Sequence, residues 1–390
     1  MTVLLTDAQL RKTLAAIRSL GNKGIDIIAS EDTRWTTSSF SKFCRRGMVY
    51  PKPSKEPDAF YEWLRKTINE NSVEVLFPMD DNVMDVVIAH KEELQKLCRM
   101  LLPDAESYNI ASDKGLAVVA AQKSGLDCPE TWMPKNEDDL LKLESMVADL
   151  AFPLVIKPRK SNGSRGIVVV NKREDFVEHY LQVHQRFSFP LIQEYIRPGP
   201  RFDVCLLFNS KSELRASFVQ KELRHFPLDR GPSTMQESVW LPDLIELAVG
   251  LLKDLNWQGI AEVEFMLDEK DGKFKFMEIN PRFWNSLYLS MLAGVDFPWL
   301  LYRLIIEGDV PEVSDYRTDV KCRWSLPGDI LHFLVNKNRF RMDPPLWAGK
   351  KSGVYDDVLS LSDPGPTVGF IMACLHFLPD REMWKQMFDR

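Results

Sequence analysis

Three separated stretches of this 390-residue chain gather residues whose types and spacing suit a polyphosphate and a divalent cation. The most specific is the pair Gly259-Ile260-Ala261-Glu262-Val263-Glu264-Phe265 and Phe276-Met277-Glu278-Ile279-Asn280-Pro281-Arg282. Both read as strands, joined by the hairpin turn Asp268-Glu269-Lys270-Asp271-Gly272. Alternation puts Glu262 and Glu264 on one face of the first strand, and Glu278 and Asn280 on one face of the second. If those faces coincide, carboxylates and an amide converge with an arginine just beyond. Packed carboxylates are costly unless a cation neutralises them. An all-oxygen set with room for water suits Mg²⁺ or Mn²⁺ bridging substrate phosphates. A satisfied salt-bridge ladder is the other use of the same residues.

The second stretch, Leu154 to Gly166, is an apolar strand that ends in Lys157 and runs through a loop of small residues into another strand. Gly163 and Gly166, with Ser161 and Ser164, let backbone amides wrap a polyphosphate, and Lys157 meets it as a point charge. Taken alone, the stretch is equally a solvated hairpin loop. In the third, Pro190-Leu191-Ile192-Gln193-Glu194-Tyr195-Ile196, a buried strand carries a polar pair at its end. That suits a hinge whose backbone at Glu194 and Ile196 reads an adenine edge, or an ordinary strand end.

These groups need scaffolds to hold them. The first hundred residues alternate short strands (Val3 to Leu5, Ile25 to Ile28, Val73 to Pro78) with amphipathic helices (Ala8 to Leu20, Ala59 to Asn69), which predicts a parallel sheet with helices on its faces. The Ser/Thr-rich stretch after Ile28 and the segment Pro51 to Pro57 read as loop. No GxGxxG follows the first strand and no GxxxxGK[ST] occurs, so this part reads as a scaffold forming one wall of a cleft. From Ala151 onward the strands gain antiparallel character, with Phe202 to Phe208 facing Arg215 to Leu223. Beyond Asp309 the pattern weakens into an appended segment rich in Pro and Gly.

Composition narrows the field. Apolar residues make up 45% and charged residues 27%, as in a soluble globular chain, and 390 residues predict two or three domains. Six scattered cysteines form no CxxC pair, which points to reduced thiols in a cytoplasm rather than a disulfide framework. A net charge of −6 argues against nucleic acid as a partner, and no apolar run is long enough for a membrane span.

In order and separation, the three stretches resemble the ATP-grasp superfamily, in its carboxylate–amine ligase branch, with likeness to carbamoyl-phosphate-synthase-large-chain-like and D-aspartate-ligase-like proteins. The resemblance implies a mixed α/β and α+β chain. A Rossmann-like domain at 1–105 precedes an ATP-grasp fold at 106–309, with a lid subdomain at about 150–193, and a C-terminal extension follows at 310–390. It also implies an ATP- and Mg²⁺- or Mn²⁺-dependent ligase, with one or two ions, that activates a carboxylate as an acyl phosphate and joins it to an amine. The partners implied are small molecules, and the expected assembly is a homodimer. A grasp-fold kinase acting on a hydroxyl and an idle nucleotide-binding regulator are the competing classes.

Carried over residue by residue, the resemblance places Lys114 and Lys157 on the α-phosphate and the Ser161 to Gly166 loop over the β- and γ-phosphates. Glu194, Tyr195 and Ile196 hold the adenine; Glu264, Glu278 and Asn280 bind metal; Arg282 steadies the acyl phosphate. Arg201 stands where the family often has a ribose-binding acid, with Asp203 as the nearest candidate, and Lys221 and Arg224 are substrate-facing candidates.

Overall fold

The run Val3-Leu4-Leu5 is apolar on both sides, as a strand covered by helices must be. It forms β1 (Thr2–Leu5) of a parallel sheet with β2 (Asp26–Glu31), β3 (Arg46–Val49) and β4 (Val73–Phe77), in the order β3-β2-β1-β4. The chain leaves β1 on one side and returns for β4 on the other. Thr6-Asp7 and Met79-Asp80 therefore flank the reversal point, where open parallel sheets form a crevice. The computed structural model describes residues 1–378 apart from Asn162, Ser164, Asp229 and Arg230.

Two local expectations change. The first helix, α1 (Arg11–Asn22), begins at Arg11 rather than Ala8, because the Ala8 amide bonds Ser30 O at 3.0 Å and the Gln9 amide bonds Glu31 Oε2 at 2.9 Å. Those two residues are tied to the end of β2 instead. Arg46–Val49, assigned to no element from the sequence, is an edge strand; it buries no side chain and so shows no apolar alternation.

The second sheet is antiparallel. It contains β5 (Thr131–Trp132), β6 (Leu154–Lys157), β7 (Val168–Val170) and β8 (Leu191–Glu194), in the order β5-β8-β6-β7. Helix Phe176–His184 packs Phe176, Tyr180 and Val183 against it. The third sheet contains β9 (Arg201–Phe208), β10 (Leu214–His225), β11 (Ser233–Val239), β12 (Gly259–Asp268), β13 (Lys273–Asn280), β14 (Lys321–Arg323) and β15 (Val354–Asp356). Their order is β13-β12-β9-β10-β11-β14-β15, and only β14–β15 is parallel. The mixed α/β and α+β class is as expected.

One face of the large sheet carries Val204, Leu206, Val219, Val263 and Phe276 against helices Pro242–Asp254 and Lys114–Lys123. The other face is apolar at one end, where Cys205, Leu207, Phe218 and Ile260 share a core with Val3, Leu5, Val75 and Phe77 of the parallel sheet. At its other end the same face turns polar, and the candidate site begins there. No single described helix is long and apolar enough to cross a membrane; the apolar pair Leu287–Ala293 and Phe297–Glu307 is bent by 87° and contributes to the core.

The segment after Asp309 is stitched in rather than appended. Strands β14 and β15 complete the large sheet. Two buried arginines of α1 hold the chain beyond them, Arg11 to Asp357 at 2.5 Å and Arg18 to Asp363 at 2.9 Å.

Candidate active site

The register of β12 and β13 sets Glu262 opposite Asn280 and Glu264 opposite Glu278, so the two polar faces coincide. The Asn280 amide donates to Glu264 Oε1 at 2.6 Å and to Glu262 Oε2 at 3.1 Å. Burial pushes the Glu264 carboxyl well above the usual carboxylate range, and Glu278 and Asp203 push it further. Burial opposes charge on Glu278 too, but Lys114 and Lys157 outweigh it and hold that group below its ordinary value. Lys114 Nζ lies 3.0 Å from Glu278 Oε2 and donates to Ser161 O at 2.5 Å, so one lysine ties the loop to the carboxylates. Asp113 caps its helix and is itself held by Arg159.

Lys157, 7% exposed at the end of β6, contacts Gln193 Oε1 at 3.2 Å. Burial brings its pKa down to about 8, with Glu278 opposing and Lys114 assisting. These groups line a cleft of about 380 Å³ between the small antiparallel sheet and the large one. Ser161 and Gly163 line its loop side; Glu194, Tyr195 and Ile196 line its far wall, with apolar surface from Val155, Ile167 and Met277. Gly163 and Gly166 have positive φ values of 60° and 75°, and a Cβ on Gly166 would meet Phe187 at 2.6 Å and Pro158 at 2.8 Å. A side chain is excluded there by both conformation and space. Ser164 lies outside the described residues.

Residues 111–286 match a family model described as "ATP-grasp domain". The chain carries an ATP-grasp domain. A curated relative, acetyl-CoA carboxylase of Saccharomyces cerevisiae, is 26% identical over 189 residues, 47% of this chain and 8% of that protein's length. The chain thus spans a small part of that relative. Among solved structures, biotin carboxylase of Campylobacter jejuni in complex with a β,γ-ATP ligand superposes with a TM-score of 0.68 at 17% identity, covering 82% of this chain and 74% of that one. The L-amino acid ligase of Bacillus licheniformis gives 0.61 at 16% identity, covering 78% and 74%. At these identities the likeness is one of fold.

Not every expected residue reaches the ATP-grasp cleft: Asn280 and Arg282 stand behind its carboxylates, and Arg282 borders a separate small pocket with Pro78, Met84 and Ile260. Arg224 is 4% exposed; it donates to Asp329 at 2.9 Å and to the Pro344 carbonyl, so its guanidinium anchors the C-terminal segment instead of facing substrate. Burying that charge requires such partners. Lys221 sits opposite Phe202 on the helix-covered side of the large sheet, its ammonium 6.0 Å from the Phe202 ring, because alternation turns Gln220 toward the cleft side in its place. Asp203 does line the cleft but accepts from Gln220 at 2.7 Å, and burial with Glu222 and Glu262 nearby pushes its pKa well up. A carboxyl in that state is poorly suited to accept from a ribose hydroxyl. Arg201 lines the same wall, 3.9 Å from Glu222.

Sequence reading missed the contribution of the helix start after β4. Arg282 Nε lies 2.8 Å from Asp81 and 3.5 Å from Asp80, and its Nη2 donates to Asn280 Oδ1 at 3.0 Å. Burial works against its charge, but Asp81 and Asp80 outweigh it and raise its pKa. The only available signal was the acidic doublet after VEVLFP, which looks like an ordinary helix start.

A second acidic group lies beside it. Asp7 accepts from Thr6 Oγ1 at 2.5 Å and from Tyr50 at 3.1 Å, and Tyr50 also donates to Glu31 at 3.2 Å. Burial, then Asp80 and Glu31, bring the Asp7 pKa up to about 8, and burial brings Glu31 to about 7. Both acids keep protons in the fold that the unfolded chain has already lost, so stability falls as pH rises from about 4 to about 8. Asp7→Asn should flatten part of the drop in melting temperature between pH 5 and pH 8, leaving the share due to Glu31. An unchanged drop would show that Asp7 is not its source.

Proposed function

We propose that this protein is an ATP- and magnesium-dependent ligase that activates a carboxylate as an acyl phosphate and passes it to an amine, releasing ADP and phosphate. The observation that carries the reading is the meeting of Lys114, Lys157, Glu264 and Glu278 around one cleft, with Asn280 bonded to Glu264 and Arg282 bonded to Asn280 behind them. Glu264 and Glu278 face each other across the β12–β13 register, two carboxylates at the edge of the cleft. That suits Mg²⁺, which takes one or two carboxylates and completes its shell with water and substrate phosphates. The mutual repulsion of Glu264 and Glu278 is what a cation would relieve. Glu264, Glu278 and Asn280 would hold it, and it supplies neutralisation of phosphate oxygens.

Lys114 and Lys157 bind the polyphosphate, the Ser161 to Gly166 loop covers it, and the strand end at Glu194 to Ile196 seats the adenine. The substrate carboxylate attacks the γ-phosphorus in line. Arg282, whose Nη edge faces the carboxylate cluster through Asn280, balances the charge that develops. An amine then displaces phosphate from the acyl carbon. The fold shared with an L-amino acid ligase supports an amine as acceptor.

Phosphate release measured over a matrix of small carboxylic acids and amino acids tests the proposal. Turnover should require both a carboxylate and an amine, and phosphate appearing on a hydroxyl acceptor would overturn it in favour of a kinase. Lys157→Ala should weaken ATP binding by about 10- to 100-fold in calorimetry, the worth of a charge-assisted hydrogen bond. Because the Lys157 pKa is lowered to about 8, its cationic form fades as pH rises through that value. ATP affinity should therefore fall between pH 7 and pH 9, and Lys157→Arg should remove most of that dependence. Equal affinities at both pH values in the wild-type protein would count against Lys157 as a phosphate ligand.

A further inference from the structure

We propose that Asp80 and Asp81, with Lys12 behind them, are positioning residues for Arg282, so that the N-terminal domain aims the arginine that serves the reaction. The inference rests on the ligase reading above. Arg282 stands in the loop after β13 and cannot fix its own guanidinium from that strand alone. Three of its five N–H groups are committed: Nε to Asp81, Nη1 to Phe283 O at 3.1 Å and Nη2 to Asn280 Oδ1 at 3.0 Å. The other two N–H groups, one on each Nη, are the ones the proposal assigns to a substrate oxygen.

The acids that set this orientation sit on a rigid element. Asp81 opens helix Asp81–Ala89 and Asp80 immediately precedes it, both at the carboxyl end of β4. Lys12 on α1 is fully buried, and its Nζ reaches Asp80 Oδ1 at 2.8 Å and Phe283 O at 3.2 Å. The four groups close a ring: Lys12 holds Asp80, Asp80 faces Arg282, and both cations donate to the Phe283 carbonyl. A fully buried ammonium is expensive, and apolar packing would fill the same space at lower cost. What the ring gives in exchange is a fixed direction for one guanidinium, made from two domains.

The test uses the full chain and a defined probe, acetyl phosphate with MgADP. In that reaction the bond from phosphorus to the acyl oxygen breaks, a bond from phosphorus to the terminal β-phosphate oxygen of ADP forms, and acetate leaves with the electron pair. No proton or oxidant is needed. It is the reverse of the proposed activation, so Arg282 must balance the same carboxylate charge. Asp81→Asn and Asp80→Asn should each lower the saturated rate of ATP formation by about ten-fold or more, as small misplacements do. The dissociation constant of MgADP should stay within about two-fold, because the acids act through Arg282 and not on the nucleotide. Asp81→Glu should recover part of the rate. In an Arg282→Lys background, Asp81→Asn should add less than about two-fold, since the group it positions is gone.

Equal losses in both backgrounds, or an Asp81→Asn protein at full rate, would overturn the inference alone. A wild-type protein that binds MgADP but makes no ATP from acetyl phosphate would overturn the acyl-phosphate reading, and this inference with it. The partly exposed Asp80 and Asp81 keep the test open even if Lys12 variants do not fold.

Discussion

Glu278→Gln is expected to cut ATP turnover by about 100-fold or more while the protein still melts cooperatively. The substitution keeps the shape of the side chain and removes one negative charge from the meeting point of Lys114, Lys157, Glu264 and Asn280. Glu278 is the one carboxylate in the group whose neighbours hold its pKa down, so it is the member that stays charged at neutral pH. Glu264 and Glu262 are both pushed well up by burial and by other carboxylates, and cannot replace that charge without taking on their own desolvation cost. Without Glu278 the two lysines lose their shared counter-ion, so ATP binding without metal should survive better than turnover. Phosphate release and calorimetry with and without Mg²⁺ measure the two effects separately. A folded Glu278→Gln protein with full activity would remove the metal assignment.

Arg18→Ala should lower the stability of the folded chain by about 3–5 kcal/mol, read as a shift in urea midpoint. Arg18 is buried and donates to Asp363 Oδ2 at 2.9 Å, to Asp357 O at 3.0 Å and to Val358 O at 2.9 Å. Asp363 is 1% exposed and also accepts from Ser41 Oγ at 2.8 Å and the Lys42 amide at 2.9 Å. Truncating the arginine leaves a buried carboxylate under-neutralised and three carbonyls, those of Asp357, Val358 and Asp363, without that donor. Arg18→Lys should restore only part of the loss, because an ammonium cannot reproduce a planar fork spread over an acid and three carbonyls. A loss below about 1 kcal/mol would mean that the C-terminal segment is held mainly by β14 and β15.

The two predictions mark where the sequence was informative. Glu264, Glu278 and Asn280 could be placed on one side because strand alternation is a rule of two, and the cross-strand register then brings them together. The parallel sheet was legible because its central strands are covered on both faces. Arg46–Val49 was not, since an edge strand with no buried side chain carries no apolar pattern. Ser233–Val239 escaped for the opposite reason. It lies between β10 and β14 with Thr234, Gln236 and Ser238 buried, so its polar residues are interior ones. The roles of Asp80, Asp81 and Lys12 depend on a meeting of α1, β4 and β13, which no local spacing records. Arg224 and Lys221 were basic residues near the right strand, and only the facing of β10 separates them from the cleft.

The links from α1 to the far end of the described chain also bear on the order in which the protein can form. Arg11 and Arg18 find their acids 346 and 345 residues later. A nascent parallel sheet and α1 leave the ribosome with two arginines whose acids are not yet made, and α1 cannot be sealed until Asp357 and Asp363 have followed. Contacts of such sequence separation slow folding and expose intermediates. The pairing of α1 with residues 357 and 363, more than any contact between neighbours, therefore sets when this part of the fold closes.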